Sequence, residues 1–436
     1  MTGNSDASGS GVRGVRACVK PVVSIDDWGR AAQTIEAFPP SKSCNPSDRH
    51  AVVPSSSHRE YVMPSVATLI VASGRAPCCH AAGLLAGVVP LLVATASPMH
   101  AQSERRTVRG AQVAIYNVAG RMTIERGTGS DVEVEVVRGG RDGNRLRIKS
   151  GTMRGRATLR VLYPADDIVY PSDSRGSRWG GSTDLRVRDD GTWGGDHTWH
   201  EGRRLRVKSR GSGIEAWADI RIKVPDGRDL AAYLAVGDLT ATDVEADLVL
   251  DVASSRVLAT GTRGRLTVDA GSGGVTLRDV RANGLAVDNG SGGVTMTGVR
   301  SDRCAIDTGS GGITGDELAC RTLQVSVGSG GVRMHRVTSD EVQVETGSGS
   351  VRLDLATSPR SITVESGSGG VTMVLPARFG GTVDVETGSG GISSDFPVTT
   401  NGVARNRLRG TVGSGDGQVR IETGSGGVRL LKGLSR

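Results

Sequence analysis

The tripeptide Gly-Ser-Gly occurs nine times between Gly271 and Gly426, and its first five copies, beginning at Gly271, Gly290, Gly309, Gly328 and Gly347, lie 19 residues apart. A period near 20 that holds through successive copies implies a solenoid, in which each repeat is one coil that buries its apolar side against the next. Copies at Gly367 and Gly388 follow at 20 and 21 residues, and those at Gly413 and Gly424 close the series irregularly. With 64 Gly and only 3 Phe, 5 Trp and 5 Tyr in 436 residues, the interior has to be narrow and aliphatic rather than built on aromatic rings.

In register on the first Gly of each corner, the columns resolve into two strands. Five positions before it stand Leu266, Leu285, Cys304, Leu323, Val342, Ile362 and Val383, and three before it Val268, Val287, Ile306, Val325, Val344, Val364 and Val385. Four positions after it stand Val275, Val294, Ile313, Val332, Val351, Val371 and Ile392, followed at six by Leu277, Met296, Met334, Leu353 and Met373. Alternation of this kind is the signature of strands with one face inward. A further apolar column, Val280, Val299, Leu318 and Val337, closes the third side. The fold class is therefore all-β, a single-stranded β-solenoid with coils of 19 to 21 residues.

The glycines at Gly271, Gly290, Gly309, Gly328, Gly347, Gly367, Gly388 and Gly424 read as structural corners, where positive φ and close backbone stacking are needed, with the serines forming a ladder. No Gly-Lys-Ser/Thr follows them, which excludes a phosphate-binding loop.

Two positions before the corner runs an acidic column: Asp269, Asp288, Asp307, Ser326, Glu345, Glu365, Glu386 and Glu422. Like charges stacked at strand spacing cost stability, so compensation is expected, from Arg333, Arg352 and Arg429. Calcium along the stripe is the sharper alternative, with Asp269, Asp288, Asp307, Glu345, Glu365 and Glu386 as ligands; however, the turns carry Ser or Gly where calcium-loaded β-rolls carry Asp.

Residues 105–165 and 211–260 read as irregular coils and an N-terminal cap, interrupted at 165–210 by a Gly- and Arg-rich insertion holding Trp179, Trp193 and Trp199. With Arg178, these tryptophans are the candidate contact surface for sugars or proteins; alternatively the rings fold back to cover the solenoid. His197 and His200 lack a third ligand and a helix to present them, so no metal site is assigned there. No nucleophile elbow and no His-Glu-x-x-His is present, and no cofactor is implied.

The region 81–96 is an apolar stretch ending in small residues, so 63–101 reads as a signal peptide cleaved after Ala96 or Ala101, with an uncleaved membrane anchor as the alternative. Residues 1–62 are then a disordered extension or the product of an upstream start, Met63 being the natural beginning. That leaves 102–436 as the solenoid. Of the six cysteines only Cys304 and Cys320 fall in it; Cys304 occupies a core slot and Cys320 lies three residues short of that slot in the next coil, so two unbridged cysteines are expected. A net charge of +7, well mixed and without aromatic-interleaved basic runs, gives no reason to expect nucleic acid as a partner.

The serial units Ile306-Asp-Thr-Gly-Ser-Gly-Gly-Ile313 and Val385-Glu-Thr-Gly-Ser-Gly-Gly-Ile392 resemble the adhesin-like β-solenoid family of bacterial envelope and secreted proteins, a family of uncharacterised function. The resemblance spans about residues 110–436, and Gly410 to Leu430 looks like that family's closing hairpin. It implies an exported, non-enzymatic envelope or surface module, whose partner would be an envelope polysaccharide or a surface protein. A carbohydrate-active β-helix using the acidic column, and a periplasmic scaffold or sensor partner, are the competing readings.

Overall fold

The computed structural model describes residues 103–171, 181–194 and 202–433. The expected signal peptide and the segment before it lie outside the described residues. Among the described residues there is no α-helix, hence none long and apolar enough to cross a membrane, and the only helical turn is a 3-10 turn at Gly143–Arg145.

One coil illustrates the rest. Strand Arg300–Thr308 enters the Gly-Ser-Gly corner, strand Ile313–Asp316 leaves it, and Ala319–Val327 begins the next coil. Coils pair in parallel with side chains of one column directly over one another, as in Leu285 on Cys304 on Leu323 and Val294 on Ile313 on Val332. The inward columns are sealed: Leu266, Leu285, Cys304, Leu323, Val342 and Ile362 are 0–3% exposed. Burying aliphatic side chains at every coil is what drives the stacking. Aromatic rings sit at the two ends instead, with Tyr116 stacked on Tyr233 at 4.2 Å at one and Phe379 edge-on to Phe396 at 6.2 Å at the other.

The glycine corner works by proximity, not by handedness. A Cβ on the third glycine of each corner in the column, from Gly273 to Gly426, would lie 1.6–2.1 Å from a carbonyl oxygen of the coil beneath, and one on the first glycine 2.1–2.6 Å from it. None of these glycines has positive φ. The left-handed residues recur at a different corner, as Asp243, Gly261, Asp279, Gly298, Glu317 and Arg336, with φ between 51° and 67°. The expected serine ladder is made by backbone: Ser310 N–H donates to Gly290 O at 3.2 Å and Ser329 N–H to Gly309 O at 3.0 Å. Inside the corner sits a column that sequence reasoning passed over: Asn289, Thr308, Thr346, Ser366, Thr387 and Thr423, 0–6% exposed. Each bonds its own corner; the Gly369 N–H donates to Ser366 Oγ at 3.0 Å while that hydroxyl donates to Gly369 O at 2.9 Å. Satisfying these groups internally is what makes a buried hydroxyl tolerable.

Cys304 and Cys320 are bridged, with Cα atoms 5.9 Å apart, against expectation. Cys320 pairs in register with Ser301, not with Cys304. Between Cys320 and Leu323 the buried positions are three apart instead of two, so the strand bends and turns both cysteines into the same corner of the interior, each 1% exposed. Counting columns as though the strand were straight placed the two thiols too far apart.

The early coils are the long strands Gln112–Arg126, Asp229–Thr242 and Asp247–Thr260, paired in parallel. The rest of 105–165 is not coil. Arg156–Leu162 and Trp217–Val224 lie against the two halves of Gln112–Arg126 and carry antiparallel partners, Arg147–Met153 on the first and Val132–Gly139 on the second, so this end is capped by antiparallel ladders. The outermost strand, Ser103–Val108, is charged and mostly exposed, which blunts the open edge. The insertion forms a small sheet of its own from Asp167–Val169, Ser182–Val187, Arg203–Lys208 and Ile214–Glu215.

At the other end the coils leave chain order. Gly417–Thr423 and Val428–Lys432 form a coil that lies between the coil of Ser361–Ser366 and Val371–Leu375 and that of Gly381–Thr387 and Ile392–Ser394. The hairpin is Val398–Ala404 with Arg407–Val412, which pairs antiparallel with Gly381–Thr387. The segment expected to be a closing hairpin is therefore largely an inserted coil, and the hairpin precedes it. Gly413 belongs to no corner column; it turns at φ 54° beside Phe379.

Candidate functional site

The acidic column is real and longer than expected. Asp251, Asp269, Asp288, Asp307, Ser326, Glu345, Glu365, Glu422 and Glu386 follow one another coil by coil. It runs in single file, so each carboxylate meets at most one neighbour on either side, whereas calcium requires six to eight converging oxygens. Among the described residues no group of three or more His, Cys, Asp or Glu is placed to hold a metal ion. The calcium ligand set Asp269, Asp288, Asp307, Glu345, Glu365 and Glu386 thus lacks convergence. Burial raises the Asp288 carboxyl above its ordinary 3.8, and the facing Asp307 adds to the rise.

Compensation comes from a different set of arginines than expected. Arg420 pairs with Glu422 on its own strand, and Arg407 of the hairpin lies 3.6 Å from Glu386. Arg409 holds the Asp384 carboxyl below its ordinary range. Arg333, Arg352 and Arg429 project on the far side of the corner, in a column that reads Thr314, Arg333, Arg352, Thr372, Arg429, Ser393. Among the described residues these three arginines form no ion pair.

They border a groove of about 640 Å³. Its floor is the fourth corner position, Ser350, Gly370, Gly427 and Gly391, where one small side chain and three glycines leave a trough along the stack. Its wall carries the three guanidinium groups with the hydroxyls of Thr372 and Ser393, and no acidic residue lines it.

A second groove, of about 630 Å³, opens beside His335. That imidazole spans three coils, with Nδ1 3.1 Å from Asp316 Oδ1 and Nε2 3.0 Å from Asp354 Oδ2. Arg336 completes the clasp by donating to Asp316 Oδ2 at 2.7 Å. His335, Arg336, Asp316 and Asp354 bond one another across the coils, so the cluster reads as a lateral tie between coils.

Of the insertion's tryptophans only Trp193 falls among the described residues, and it is 5% exposed, edge-on to Tyr233 at 5.9 Å. Its ring covers the end of the aromatic stack, which removes it from any contact surface. Trp179, Trp199 and Arg178, with His197 and His200, lie outside the described residues. The insertion is tied to the coils through Thr183 Oγ1, which donates to Ser254 Oγ at 2.9 Å. Within it Arg206 and Arg204 hold the Asp184 carboxyl down to about 2.

No curated protein matches the chain. A solved structure of a Clostridium sporogenes protein, described as a candidate cell adhesion protein, matches over 76% of this chain and 99% of that one at 10% identity, but with a TM-score of 0.16 it carries no argument about this molecule. The profile of Toastrack DUF4097 matches residues 203–431, which takes in the coils from Asp229 onward, the disulfide, the arginine column and the out-of-order closure. More than half of the chain is covered, and the protein belongs to the Toastrack DUF4097 family, a β-solenoid family of unknown function.

Proposed function

We propose that this protein is an exported, non-enzymatic binding module of the cell envelope or cell surface, taking a repetitive envelope polymer as its partner. The observation that carries the reading is the register: outward side chains of like charge line up along the stack at strand spacing, carboxylates from Asp251 to Glu386 on one face with Ser326 among them, and arginines from Arg333 to Arg429 on another with Thr372 among them. Such columns match a ligand whose own groups repeat at a fixed interval, and weak contacts summed along them become useful affinity. A glycosidase reading needs two carboxylates facing each other across one bond, and the acidic column instead runs in single file along one face.

Export is supported by two independent features. The apolar stretch 81–96 ends in small residues suited to cleavage. The Cys304–Cys320 bridge belongs to an oxidising compartment. Cell fractionation with N-terminal sequencing tests this: the protein is expected outside the cytoplasm, beginning after Ala96 or Ala101, and recovery of reduced, uncleaved chain from the cytoplasm would overturn it. An array of neutral and acidic envelope polymers tests the binding role, which falls if none retains the purified protein.

A further inference from the structure

We infer that the trough beside Arg333, Arg352 and Arg429 is a binding site for a linear acidic polysaccharide carrying a carboxylate on its sugar residues. The inference rests on the binding-module reading and names the ligand class and the place. In chain order the outward column is Thr276, Thr295 and Thr314 and then changes to Arg333 and Arg352, and Arg429 joins them only because the coil of Val428–Lys432 is inserted beside Val371–Leu375. The closure therefore assembles a cationic row from residues distant in sequence.

Like charges stacked at strand spacing repel, and a protein that gained nothing from the row would be more stable with threonine there, as in the coils before it. All three guanidinium groups are exposed and form no ion pair among the described residues. Some other outward arginines are paired, as Arg256 is with Asp238 and Arg409 with Asp384, whereas Arg281 and Arg300 stack in register without an ion pair among the described residues; what distinguishes the row of Arg333, Arg352 and Arg429 is the groove that all three line. What the row lacks is supplied by an anion.

Geometry selects the form of that anion. Arg333 and Arg352 are one coil apart and Arg352 and Arg429 two, so cations recur at about 4.8 and about 9.6 Å along the stack axis. A guanidinium fork takes a carboxylate through two parallel N–H bonds. The hydroxyl of Thr372 lies between Arg352 and Arg429 and that of Ser393 follows Arg429, and both suit sugar hydroxyls beside the charged groups. The floor of Gly370, Gly427 and Gly391, with Ser350 its one small side chain, lets a ribbon of rings lie close along the coils. A chain of sugar residues, each about one strand spacing long, places its carboxylates in step with this wall.

The test uses the full chain and polygalacturonate as the probe, beside dextran as a neutral polysaccharide and polyglutamate as an acidic polymer without sugar. Binding to polygalacturonate is expected, with a raised melting temperature by mass action, and the triple variant R333Q/R352Q/R429Q is expected to lose about tenfold or more in affinity together with that rise. A charge-matched variant, R278Q/R281Q/R300Q, removes three exposed arginines outside the trough and is expected to bind as the unaltered protein does. The inference is overturned if the two triple variants lose affinity equally, or if polyglutamate is held as tightly as polygalacturonate. If envelope polymers of the array retain the protein and its trough variant alike, the ligand assignment falls and the binding module stands; if nothing is retained, both fall.

Discussion

Coils between Arg263 and Leu375 stack in the order in which they are written, whereas beyond Leu375 the coil written last lies inside the one written before it. The two regions use the same columns. Val371 meets Val428 as Val351 meets Val371, and a Cβ on Gly426 would strike Gly369 O at 2.0 Å much as one on Gly311 would strike Gly292 O at 1.8 Å. Membership of a column and place in the stack are thus separate properties. The repeat encodes the first; the second is decided by where the intervening hairpin goes. Arg407–Val412 pairs antiparallel with Gly381–Thr387 and brings Arg407 and Arg409 to Asp384 and Glu386, covering an edge that would otherwise be open.

The sharpest way to break the comparison is at the third glycine. Gly311→Ala in the ordered stack and Gly426→Ala in the inserted coil are each expected to cost more than about 3 kcal/mol, because backbone must move to admit a Cβ. Chemical denaturation measures both, and a much smaller loss for Gly426→Ala would mean that the inserted coil is only loosely held. Gly391→Ala, with nothing within 4 Å of its Cβ, is expected to stay within about 0.5 kcal/mol of the parent.

Only the ordered stack is cross-linked. Removing the bridge as Cys304→Ser with Cys320→Ser is expected to cost about 3 kcal/mol, since the bridged residues are 16 apart in sequence. The loss should appear as a lower melting temperature of the ordered stack, read by hydrogen exchange, with the closing coils less affected.

Smaller effects sharpen the picture of a single coil. Asp279 holds a left-handed conformation at φ 51° where the equivalent position in the next coil is Gly298. Asp279→Gly is expected to stabilise by up to about 1 kcal/mol in thermal melts, the relief of strain being partly offset by the freedom glycine gains when unfolded. Smallest is Asp288→Asn. A carboxyl whose folded pKa lies above its ordinary 3.8 costs stability once it is ionised, so the cost sets in as pH rises from 3.8 through the folded value and persists above it. The variant should therefore melt higher than the parent at neutral pH and equally below pH 3.8; a lower melting point at neutral pH would mean that Asp288 is stabilised by its neighbours.

Much of this was legible in the sequence. The inward columns from Leu266 to Val385 and from Val275 to Val371 were read off the repeat, because burial on one face of a strand writes itself as alternation. The role of the corner was half read. Glycine there is required by stacking, and positive φ was assigned to the wrong corner because its usual residue, glycine, stands at Gly261 and Gly298 only. The buried column Asn289, Thr308, Ser366 and Thr387 was hidden by its polarity, although Thr beside every other corner was a visible signal. The bridge was missed because a bend in the strand is not written in column counts. The arginine row was seen and given the wrong partner: two columns near in sequence fall on opposite sides of the corner. The order of the last coils could not be read at all, since Gly388 and Gly424 both fit on Gly367.

The inserted coil also changes what an incomplete chain would be. In an ordinary repeat array, losing the final repeat frays a tip and leaves the rest of the array intact. Here a nonsense codon or a protease cut between Val412 and Gly417 would delete an interior layer, strip Gly381–Thr387 of its parallel neighbour and dismantle the arginine row in the same stroke. The end of the stack cannot form until Lys432 has been made, so an interior layer of the molecule depends on the strands translated last.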